Sequence, residues 1–188
     1  MTRTLKAVSV TAEGEPDGFE SPLLYKTQVG PDGTTRLVVS APLGDLPRVH
    51  RLLIGALAEP LGVLWVQLVD RATSTRQEEA PKRWITLERE QALVLDVLTA
   101  CAELLYEDGR GQIWIRGALG EQLVLDELGL VYLYPDDLSF REVLESAGVK
   151  EADSATMADR DYVRVEFEAT ADELEARMLA DLSMQPIP

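Results

Sequence analysis

Residues 111–134 read GQIWIRGALGEQLVLDELGLVYLY, and three runs within them, 112–116, 121–125 and 130–134, place an aliphatic residue at every second position. Successive strand side chains point to opposite faces, and short Gly/Asp turns such as 117–120 and 126–129 join antiparallel neighbours. The stretch therefore predicts a three-stranded meander. One face collects Ile113, Ile115, Leu123, Leu125, Val131 and Leu133. The other carries Gln112, Trp114, Arg116, Gln122, Val124, Tyr132 and Tyr134, an aromatic and polar set.

Upstream, the apolar run 63–69 is too short for an ordinary helix and rich in branched and aromatic residues, which suits a central strand. Residues 82–85 predict a short strand, after which Thr86 caps a long helix over 87–106 with Glu88 and Glu90 in its first turn. Arg89, Asp96, Thr99 and Glu103 form the only polar stripe of that helix. Nearer the N-terminus, strands over 5–10, 23–29 and 35–41 are expected, the last two joined by the Gly30–Gly33 turn. Asp45 then caps a helix with Pro47 in its first turn.

Downstream, Asp136 or Asp137 caps a helix that stops at Gly148. A strand over 162–168 places Val163, Val165 and Phe167 on one face and Tyr162, Arg164 and Glu166 on the other. The sequence Thr170-Ala171-Asp172-Glu173 reads as a capping box opening a last helix. Segments 13–22, 70–81 and 150–160 are expected as exposed loops and 183–188 as a tail. Strands interspersed with single helices give an α+β class: an antiparallel or mixed sheet with about four helices, mainly on one face. At 188 residues one domain spanning 1–188 is expected.

The charge is uneven. Residues 1–90 hold 12 Asp/Glu against 11 Lys/Arg, and residues 91–188 hold 21 against 7, within a formal net charge of −15. Such a chain repels a phosphate backbone and attracts basic protein surfaces, so nucleic acid is not an expected partner and a basic protein is. The apolar run 92–106 is broken by Asp96 and Glu103 and is too short to cross a bilayer, and the N-terminal residues lack the apolar core of a secretory signal. No membrane association is expected, and residence is expected to be cytoplasmic. The single cysteine, Cys101, agrees with a reducing compartment.

Catalytic signals are sparse. His50 is the only imidazole and sits at the edge of an apolar stripe; Cys101 points away from the polar stripe of its helix and reads as a small buried hydrophobe. Phosphate-binding, nucleophile-elbow and metal-binding strings are missing, so no catalytic residue and no cofactor are assigned. Glu121, Asp136 and Asp137 fall at one end of the meander, where they could hold a cation or act as an acid/base pair, or simply cap and solvate.

Trp, Tyr and Arg dominate binding hot spots because they bury large area and keep a hydrogen-bonding edge. Trp114, Arg116, Tyr132, Tyr134, Tyr162 and Arg164 are therefore the expected partner-binding residues, in the same half of the chain as the acids. The leading expectation is a non-enzymatic protein that docks a protein partner, an immunity-type inhibitor being one version. A carboxylate-based enzyme or small-ligand protein is the alternative. A self-associating subunit, using Arg71, Arg76, Lys82 and Arg83 to bind an anion or a second copy, is another.

Overall fold

The alternation in 111–134 folds as a meander at the middle of a large sheet. The computed structural model describes residues 4–30, 33–70, 75–76, 81–165 and 169–188, and only the backbone of 70, 75, 76 and 169. Strands β1 (Ala7–Ser9), β2 (Leu24–Val29) and β3 (Thr35–Ser40) precede helix α1 (Leu46–Gly55). Strands β4 (Leu61–Gln67), β5 (Val69–Asp70), β6 (Thr75–Arg76) and β7 (Lys82–Arg89) lead into α2 (Gln91–Ala100) and α3 (Ala102–Glu107). The meander supplies β8 (Gly111–Arg116), β9 (Gln122–Leu125) and β10 (Val131–Tyr134). After it come α4 (Leu138–Ser146), β11 (Lys150–Glu151), β12 (Tyr162–Arg164), α5 (Ala169–Asp181) and β13 (Gln185–Ile187).

Nine strands form one mixed sheet in the order β11-β2-β3-β10-β9-β8-β4-β7-β13, in which the β11–β2 pair alone is parallel. The fold is α+β, as the strand and helix pattern predicts. Ile113, Ile115, Leu123, Leu125, Val131 and Leu133 are all fully buried and belong to one apolar cluster to which every helix contributes. Leu53 and Ile54 of α1, Leu98 of α2, Leu104 of α3, Leu144 of α4 and Met178 of α5 are among its members. Each such side chain adds about 1.5–3 kcal/mol by leaving water, so the helical layer is held to the sheet by burial.

Several expected boundaries move. Residues 86–89 extend β7 rather than opening a helix: Thr86 pairs with Val63 and is buried. The carboxylate that satisfies the start of α2 is Glu59, whose Oε1 accepts from the Gln91 N–H at 2.6 Å. The expected 87–106 helix is also two helices, divided at Cys101. Asp45 makes no side-chain cap and instead binds Arg48 Nη2 at 3.0 Å. Thr170 lies inside α5, so the expected capping box is not formed there; its hydroxyl donates to Glu103 Oε1 at 3.2 Å.

The 150–160 segment is not a plain loop: it carries β11 and a short 3-10 turn over Met157–Asp159 with Thr156 and Met157 buried. The expected tail contributes β13, the edge strand beside β7. Strand β12 pairs with β1 in a separate two-stranded ribbon, where Val163 is 54% exposed instead of facing a core. Phe167 and Glu166 lie outside the described residues.

Candidate functional site

With the helices on one side, the opposite face of the sheet divides in two. Over β2 and β3 it is overlain by loop segments: Lys26 Nζ donates to the Ser154 carbonyl at 3.2 Å, and Phe19 and Met157 pack with Ala7 and Leu128. Over β8, β4 and β7 a hollow of about 420 Å³ remains, lined by Pro60, Gly62, Leu64, Ile85, Leu87 and Trp114 and rimmed by Glu88, Arg116 and Gln122.

The hollow has a backbone cause. Leu61 pairs with Arg89 and Val63 with Thr86, so two residues of β7, Leu87 and Glu88, stand opposite the single Gly62. This is a β-bulge, which bends a strand and re-aims its side chains. Leu87 is turned out and 62% exposed. Glu88 adopts φ +58°, a conformation that costs a non-glycine residue about 1 kcal/mol. Gly62 leaves the floor open: a Cβ there would lie 3.3 Å from Leu87 Cδ2.

Trp114 is fixed beside this floor. Its indole N–H donates to Gln112 Oε1 at 3.0 Å, and Gln112 donates in turn to Glu127 Oε2 at 2.5 Å. The polar edge of the indole is thereby satisfied internally, and what the ring offers outward is carbon. Arg116 and Gln122 face each other across β8 and β9, and neither side chain has a hydrogen bond or ion pair among the described residues.

The other expected partner-binding residues are not gathered with Trp114. Tyr132 lies under the Arg36 guanidinium at 4.3 Å from its centroid, and Arg36 also donates to the Tyr134 hydroxyl. Burial raises the Tyr132 phenol pKa above its usual value. Tyr162 and Arg164 sit on the β1–β12 ribbon, so they do not extend the meander's face; Tyr162 is 42% exposed. Lys82 and Arg83 are exposed on β7, whereas Arg71 and the side chain of Arg76 lie outside the described residues.

The three meander-end carboxylates each have separate work. Glu121 accepts from the Leu119 N–H at 3.0 Å and the Ala58 N–H at 3.3 Å. Asp136 takes a two-point contact from Arg141, at 2.8 and 2.7 Å, which holds its carboxyl below the usual range. Asp137 caps α4 by accepting from the Ser139 N–H at 2.8 Å. Among the described residues no group of three or more Asp, Glu, His or Cys is arranged to hold a metal.

Two buried polar clusters escaped sequence reasoning. In one, Arg110 grips Asp108 through Nε and Nη2 at 3.0 and 2.7 Å and reaches Asp172 at 2.6 Å, while Glu175 accepts from Trp65 Nε1 at 2.6 Å and from Gln67. This network fastens α5 to β4. Gly111 permits it: a Cβ there would lie 2.7 Å from the Trp65 ring and 2.6 Å from the Val66 carbonyl. In the other, Lys6 is fully buried and donates to the carbonyls of Gly111 and Asp126 at 2.8 and 2.7 Å.

Burial pulls the Lys6 pKa down to about 8 and pushes that of Asp126 up to about 6. His50, expected at the margin of its stripe, is completely buried with Nδ1 2.9 Å from the Tyr106 hydroxyl. Desolvation, and then the Lys6 charge, lower its pKa to about 3, so it is neutral and makes no general base at neutral pH. Cys101 is buried, and burial raises its thiol pKa, consistent with an inert packing role.

Acids stand on both sides of the sheet: Glu88 rims the Trp114 hollow and Glu127 accepts from Gln112 beside it. Exposed Asp96, Glu103, Glu142, Glu145, Glu173 and Asp181 all project from the helical layer, across the sheet from Trp114. No described helix is long and apolar enough to cross a membrane. Comparison of the chain with protein-family models, curated proteins and solved structures finds no match.

Proposed function

We propose that this protein is a non-enzymatic binding protein that docks a protein partner on the uncovered part of its sheet, with Trp114 and Leu87 at the centre and Arg116 at the rim. The observation that carries the reading is the uncovered apolar surface itself: a sheet whose other face engages all five helices leaves an indole and a protruding leucine around one hollow. Apolar anchors in a concave seat with a polar rim are the usual energetic centre of an interface. The imidazole and thiol are both buried, which supports binding over catalysis.

The acidic helical layer fits a supporting role. A net charge of −15 raises the encounter rate with a basic partner at low salt, even where the contact itself is apolar. An inhibitor of a basic protein is one form that this takes. The test is a pair of variants, Trp114→Ala and Leu87→Ala, checked for native unfolding behaviour and then compared with the parent chain for retention of partners from cell extract. Loss of the same partner in both supports docking; undiminished retention by both refutes it.

A further inference from the structure

The hollow over Gly62 is more than an apolar patch, because its polar rim is arranged in an unequal way. Arg116 and Gln122 are cross-strand partners at the same end of the hollow, and both side chains keep their donors unengaged among the described residues. A guanidinium beside a carboxamide is a donor pair suited to one carboxylate or sulfonate. The next outward-facing positions on that row are Tyr134, opposite Gln122, and Arg36, whose guanidinium adds positive charge on the same side. Glu88 lies on the far side of β4 from Arg116, about two strand spacings or ~10 Å away by sheet geometry.

The geometry points to a small-molecule site: the hollow takes an amphiphilic anion with a flat apolar body and a single acidic head. The body lies over Gly62 between Leu87, Ile85 and the Trp114 indole, and the head meets Arg116 and Gln122. A volume of about 420 Å³ falls in the ordinary range for small-ligand pockets and accepts a bicyclic aromatic acid with room to spare. The chain's overall negative charge opposes any anion at long range. At about 0.15 M salt that field is screened beyond ~8 Å, while the rim contact is not. The inference does not rest on partner docking, since it is measured on the chain alone.

The experiment uses the full chain with 2-naphthoate and its neutral counterpart 2-naphthylmethanol, followed by calorimetry and by the Trp114 indole N–H resonance, assigned through Trp114→Phe. The parent chain is expected to bind naphthoate roughly five-fold more tightly than the alcohol, in line with a partly exposed charge contact. Arg116→Gln brings that ratio to about one, whereas Arg51→Gln, an exposed arginine on α1, leaves it unchanged.

Gly62→Val, which fills the floor, and Leu87→Asp, which places a charge at the mouth without touching the core, each weaken naphthoate by about ten-fold or more. Thermal unfolding of every variant is recorded, and Leu87→Asp decides the matter if Gly62→Val folds poorly. Absence of binding by either probe at millimolar concentration overturns the site. So does a naphthoate preference that survives Arg116→Gln, or affinity that survives both Gly62→Val and Leu87→Asp.

Discussion

His50 shows how one residue's environment becomes a property of the fold. In the unfolded chain its pKa is about 6.5, in the folded chain about 3, so between these values protons favour the unfolded state and stability falls as pH falls. Asp126 acts in the opposite sense: its pKa rises from 3.8 to about 6, and acidification across that window favours the folded state. The two slopes nearly cancel between pH 4 and 6. His50→Gln removes one of them, so the stability advantage of the parent over the variant should shrink by roughly 1 kcal/mol per pH unit from 6.5 down to 4. Urea unfolding at three pH values measures it, and a pH-independent difference would mean that His50 titrates normally. At Glu88 the left-handed backbone predicts that Glu88→Gly stabilises the protein, by about 0.5–1 kcal/mol in the same assay.

Among the elements, α5 depends most on polar contacts. Glu175 satisfies the Trp65 indole and the Gln67 amide and lies 3.6 Å from Arg110, so Glu175→Ala strands two buried donors at once and leaves Arg110 to Asp108 and Asp172. The expected cost is about 3 kcal/mol or more, with amide hydrogen exchange accelerating first along α5. Glu175→Gln keeps the volume and should cost clearly less. None of this could be read from the chain, because Arg110 sits between two glycines that look like a simple turn, and its partners lie up to 65 residues away. The β7–α2 boundary was hidden for a related reason. Thr86, Glu88 and Glu90 have the spacing of a helix start, but pairing of Thr86 with Val63 on β4 prevails, and local propensity carries no information about that partner. The meander was legible because its inward residues, Ile113, Ile115, Leu123, Leu125, Val131 and Leu133, recur at every second position within each strand and all meet the same core.

Over the whole molecule, the sequence placed Trp114 and Arg116 correctly on the side away from the helices, but its alternation could not show that Leu87, Glu88 and Gly62 form a bulge between neighbouring strands. Nor could a count of acids along the chain reveal that six exposed acids stand on the helical layer while Glu88 and Glu127 stand on the Trp114 side, since strands from both halves interleave in one sheet. A net charge of −15 predicts that 0.5 M NaCl raises the melting temperature, by a few degrees for ~1 kcal/mol of relieved repulsion. A decrease would mean that specific ion pairs outweigh the repulsion.

The two margins of the sheet are closed by very small pieces of chain, Lys150–Glu151 on one side and Gln185–Ile187 on the other. Pro186 withholds a backbone donor from anything approaching the outer rim of β13. Four residues thus act as a guard rail: trimming 185–188 would bare the flank of β7 and invite strand-to-strand stacking between molecules, visible as light scatter and thioflavin fluorescence that grow faster than in the untrimmed chain.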